Sequence, residues 1–155
     1  MNQLSDEASL YDRDYHLWVL ATVKHLETGD FEALDLENLI AEILGLAAMD
    51  KRELRNLLRL SFEHLLMWQY WEAETERNRG YWLGEIANFL MEIRGILMDS
   101  PSLKNYLSEI FDDCYEDALK IVVAKTQLPL DTFPEKAIAN LDEVLDENWF
   151  PPVSK

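Results

Sequence analysis

KRELRNLLRLSFEHLLMWQYW, Lys51 to Trp71, is the stretch whose reading decides the fold. Leu54, Leu58, Ser61, Leu65 and Trp68 recur at intervals of three and four, and Leu57, His64 and Trp71 lie beside them. That spacing places them on one face of an amphipathic helix. The polar positions include Lys51, Arg52, Arg55 and Arg59, much of the positive charge of an acidic chain. A helix of this kind is expected to be the central strut of an all-helical domain.

The flanking segments carry the same period. The first helix is predicted from about residue 12 to 27, presenting Tyr15, Trp18, Val19, Thr22 and Leu26, with Gly29 placed to end it. Asp35 reads as the N-cap of a second helix with Leu36, Leu39, Ile40, Ile43 and Leu46 or Ala47 inward. Asp50 with Glu53 reads as a capping-box variant that opens the third helix, which runs to about Glu76. The polar segment Glu76 to Gly80 predicts a break, and a fourth helix follows over about 81–98. Ser100-Pro101 starts a fifth that reaches about Gln127. Beyond Phe133-Pro134 one or two short helices are expected, and Trp149-Phe150 should dock back on the bundle. The expected fold is all-α: residues 11–155 form a single-domain bundle of about five helices with a short C-terminal helical appendage. Residues 1–10 are expected to fray.

Composition bounds the function. The chain has 155 residues, 48% hydrophobic, enough for one core, and only five glycines and five prolines. The formal net charge of −16 repels phosphate backbones and anionic membranes, and favours a basic protein partner or a divalent cation. Cys114 is the single cysteine, so no internal disulfide is possible. No basic-then-apolar leader and no apolar run of about 20 residues is present, so a cytoplasmic location is expected.

Tyr11, Asp14 and Trp18, then Leu34-Asp35-x-Glu37-Asn38-Leu39-x-x-Glu42-Ile43, open an ordered set of small motifs. Arg52-Glu53-Leu54, His64-Leu65-Leu66-x-Trp68 and Trp82-x-x-x-Ile86 continue it. Ser100-Pro101-Ser102-Leu103-Lys104 and Leu145-Asp146-x-x-Trp149-x-Pro151 complete it. Over roughly residues 11–151 the set resembles an uncharacterised, largely cyanobacterial family, domain of unknown function number twenty-nine. That family often shows polar residues near Phe89 and Leu90, where this chain is apolar. The resemblance implies an all-helical fold and lends no reaction.

Five groups of residues bear on chemistry. His64 shares an apolar face and needs a ring-nitrogen partner, for which Glu37, Asn38 or Glu42 are candidates. With Glu37 and Glu42 as co-ligands it would suit a metal- or nucleotide-dependent enzyme, but the Glu-x-x-His spacing of di-iron bundles is absent. Arg59 and His64 form an Arg-x-x-x-x-His string like that of small helical ribonucleases. Five residues turn a straight helix by about 140°, so the two do not converge, and Glu63 is the better partner for Arg59. The acidic runs Asp112, Asp113, Glu116, Asp117 and Asp142, Glu143, Asp146, Glu147 read as solvated faces. Cys114 reads as a small buried hydrophobe. Finally, Trp71, Tyr81 and Trp82 are candidates for a protein-binding patch near one helix junction.

These readings favour a non-enzymatic, acidic protein-interaction module, an adaptor or antitoxin-like protein with a basic partner, over an enzyme. No cofactor is called for, and a homo-oligomer is compatible with the composition.

Overall fold

The computed structural model describes residues 9–151. Six α-helices are found among them and no strand: α1 Leu10–Arg13, α2 Tyr15–Thr28, α3 Leu36–Tyr70, α4 Glu72–Asp99, α5 Leu103–Thr126 and α6 Leu141–Val144. The all-α expectation holds. The expected fraying of the N-terminus falls largely outside the described residues.

The chain divides into two compact units, Met1–Ala48 and Met49–Lys155. In the first, α2 and the opening turns of α3 make a helical hairpin. Ser9 caps α1, and Asp14 caps α2 by accepting the Leu17 N–H at 3.0 Å. The aspartate's extended backbone splits what the periodicity predicts as one helix from residue 12. Gly29 ends α2 at φ 71°, the left-handed conformation for which glycine is suited. Asp35 accepts the Asn38 N–H at 3.3 Å and so opens α3 as expected.

The second unit holds the core. From Ser61 to Gln69 every residue of α3 is buried, as befits a helix enclosed on all sides. Trp82, Ile86, Phe89, Leu90 and Ile93 of α4 contribute to the same core, as do Leu107, Ile110, Cys114, Tyr115, Ala118, Leu119 and Val122 of α5. Phe133, Ala139 and Val144 close it, with Trp149 packed against it and the Phe150 ring 5.8 Å from Trp68. The aromatic pair near the C-terminus therefore docks as its composition suggests. The Tyr115 hydroxyl donates to the Pro134 carbonyl at 2.6 Å and pins this returning segment to α5.

Two predicted boundaries are corrected. Asp50 and Glu53 start no helix: α3 runs unbroken from Leu36 to Tyr70. A cap is a potential that the chain uses only where something else ends the preceding helix, and neither glycine nor proline stands between Ala47 and Leu54. The segment from Glu76 to Gly80 is helical, and the break falls at Trp71 (φ −92°, ψ 68°). There the Thr75 hydroxyl, 2.7 Å from the Trp71 carbonyl, also lies 3.2 Å from that of Trp68, an acceptor that the end of α3 leaves bare. The two expected helices before and after residue 50 are thus one.

Candidate functional site: the hairpin groove

The N-terminal hairpin leaves much of its apolar surface bare. Among its described residues only Trp18 and Thr22 are buried. Tyr15, Trp18, Val19, Thr22, Val23 and Leu26 of α2 face Leu39, Glu42, Ile43 and Leu46 of α3 across a groove of about 210 Å³. Tyr15, Val23, Leu26, Ile43 and Leu46 in its walls are 45–65% exposed. α2 and the opening turns of α3 cannot cover apolar stripes on both their faces, so the groove stays open. The sequence assigned these residues to a core; periodicity marks an apolar face without saying what covers it.

Glu42 is the one charged residue lining the groove among the described residues. The Tyr11 hydroxyl donates to one of its oxygens and the Tyr15 hydroxyl to the other, the latter at 2.9 Å. These bonds, with the negative charge beside them, push both phenols above their ordinary titration range, so both remain neutral donors. The Tyr15 ring stacks on Trp18 at 5.9 Å, and Tyr11 meets Trp18 edge-on at 4.9 Å. No cation is paired with Glu42 among the described residues. The Trp18 indole N–H is buried and has no acceptor there either. Eight carboxylates lie between residues 9 and 48, against Arg13 and Lys24.

The residues singled out by sequence fall in different places. His64 is buried, but its partner is not on the second predicted helix. Its Nδ1–H donates to the Leu60 carbonyl of its own helix at 2.9 Å, and its ring meets Phe89 edge-on. Phe89 and Leu90 are themselves buried. Glu37 is exposed on α3, and Glu42 is engaged by the two tyrosines. Among the described residues no three His, Cys, Asp or Glu side chains gather as a metal site needs. Arg59 turns to Glu63, as its spacing suggests, and its other amino group donates to the Asn56 side-chain Oδ1 at 2.7 Å.

Glu63 itself is 1% exposed and also takes Lys125 at 3.1 Å. Part of each acidic run is engaged by structural partners. Asp117 pairs with Arg55 at 3.4 Å, Asp142 with Lys104 at 3.2 Å and Glu147 with Arg94 at 3.0 Å, while Glu143 completes the capping box of α6. Burial pushes the Cys114 thiol up to about 11. Of the aromatic trio, Trp82 is buried, Trp71 is half-buried and stacked on it at 5.9 Å, and Tyr81 is 66% exposed.

No helix of the described residues is long and apolar enough to cross a membrane. Neither a curated protein nor a solved structure matches the chain. A family model matches it over residues 10–150, and on that match the chain belongs to the family described as Domain of unknown function DUF29.

Proposed function

We propose that this protein is an interaction module of the adaptor type, and that the hairpin groove receives a basic amphipathic helix from another protein. The observation that carries the reading is an open apolar groove on a strongly acidic chain. Five wall residues expose half or so of their surface, and the only charged side chain lining the groove among the described residues is the Glu42 carboxylate. Helices that dock in grooves place apolar anchors at three- and four-residue intervals, matching the rows Val19, Val23, Leu26 and Leu39, Ile43, Leu46. The surplus of carboxylates, net −16 over the chain, steers a cationic partner toward the surface and disfavours anionic ones.

Calorimetric titration with an amphipathic leucine–arginine peptide of about 18 residues tests this. Saturable binding is expected, lost in Ile43→Asp and absent with a scrambled peptide of equal composition. Equal binding of ordered and scrambled peptides would reduce the interaction to bulk charge and overturn the proposal.

A further inference from the structure

We infer that Glu42 with the Tyr11 and Tyr15 rings, backed by the buried Trp18, forms a subsite for one cationic side chain of the docked helix, an inference that rests on the groove proposed above. A carboxylate in an apolar wall is costly to cover unless the covering surface neutralises it. Any helix that buries Val23, Leu26 and Ile43 also brings surface over Glu42, which shares their groove. A purely apolar partner would strand that charge.

Glu42 has capacity to spare. An ionised carboxylate offers about four lone-pair sites, and the two phenols occupy one on each oxygen. The phenols also fix its orientation, so a cation meets a preset acceptor rather than a freely rotating one. Tyr15 is half exposed beside it and presents an aromatic face to the same cation, held in place by stacking on the buried Trp18 ring. No lysine or arginine among the described residues fills this position. Arginine suits it better than lysine, because a planar guanidinium can hydrogen-bond the carboxylate while stacking on a ring.

An arginine-to-citrulline scan of the leucine–arginine peptide, titrated into the full wild-type chain, tests the subsite. One position is expected to cost on the order of tenfold in affinity and the rest much less. The same substitution should cost nothing further against Glu42→Gln, which keeps an acceptor oxygen for one tyrosine. A scan in which every arginine costs the same overturns the subsite, even if Glu42→Gln fails to fold. So does undiminished binding by a folded Glu42→Gln. If Ile43→Asp abolishes binding in that case, the groove stands and only the subsite falls. No binding of the parent peptide to wild type overturns both.

Discussion

Glu63 sits at 1% exposure, and its cost is set by the two cations that reach it. Arg59 approaches from the preceding turn of α3 and Lys125 from α5. Removing one partner of a buried pair leaves charge uncompensated. Arg59→Met should therefore destabilise the protein by about 2–4 kcal/mol in urea unfolding. A loss below about 0.5 kcal/mol would mean that Lys125 alone satisfies the carboxylate. Cys114 gives a second test: fully buried, with its thiol pushed up to about 11, it should resist alkylation at pH 8 until the chain unfolds. Rapid labelling of native protein would contradict its placement. Tyr11 and Tyr15 give a third. Donation to Glu42 favours the neutral phenols and raises their folded pKa values above the ordinary 10. Stability from these bonds is complete below the unfolded phenol's pKa, and is lost as pH rises through the folded values. Helicity of the hairpin should fall above pH 10, and less steeply in the Tyr11→Phe/Tyr15→Phe variant; superimposable pH curves would contradict the bonds.

At the scale of elements, α3 shows what the sequence carries and what it conceals. The inward set Leu54, Leu58, Ser61, Leu65 and Trp68 is legible because spacing and burial share one period. Trp68→Ala should cost about 3–5 kcal/mol, the loss of a large core side chain, and a loss well under 1 kcal/mol would place that face outside the core. Continuity through Asp50 was not legible, since capping residues look the same whether or not the helix uses them. Nor was the break at Trp71, which is bridged by the Thr75 hydroxyl to the Trp68 carbonyl and marked by no glycine or proline. The partner of His64 was hidden for a related reason: it is a carbonyl of the same helix, a group every residue carries. Gly45 lies within α3, and a methyl group there would meet nothing within 4 Å. Gly45→Ala should raise stability by about 0.5–1 kcal/mol in urea unfolding, because alanine loses less backbone entropy in a helix. A decrease would show that the site needs glycine.

At the scale of the molecule, each unit has its own ratio of buried to open apolar surface. The second encloses a stretch of α3 completely, whereas the first buries only Trp18 and Thr22 among its described residues. The groove was half legible: its residues were recognised as an apolar face, but the pattern cannot distinguish a face covered by the same chain from one kept for a partner. An acidic surface adds a kinetic signature. Association with a cationic helix should slow as salt rises, since the Debye length shrinks from about 10 Å at 0.1 M to about 3 Å at 1 M. An amide NMR titration of the full chain with the leucine–arginine peptide most directly tests whether the hairpin groove is the docking surface. Saturable shifts are predicted at Val19, Val23, Leu26, Leu39, Ile43 and Leu46. Shifts confined to Trp71, Tyr81 and Trp82, or none at all, would contradict it.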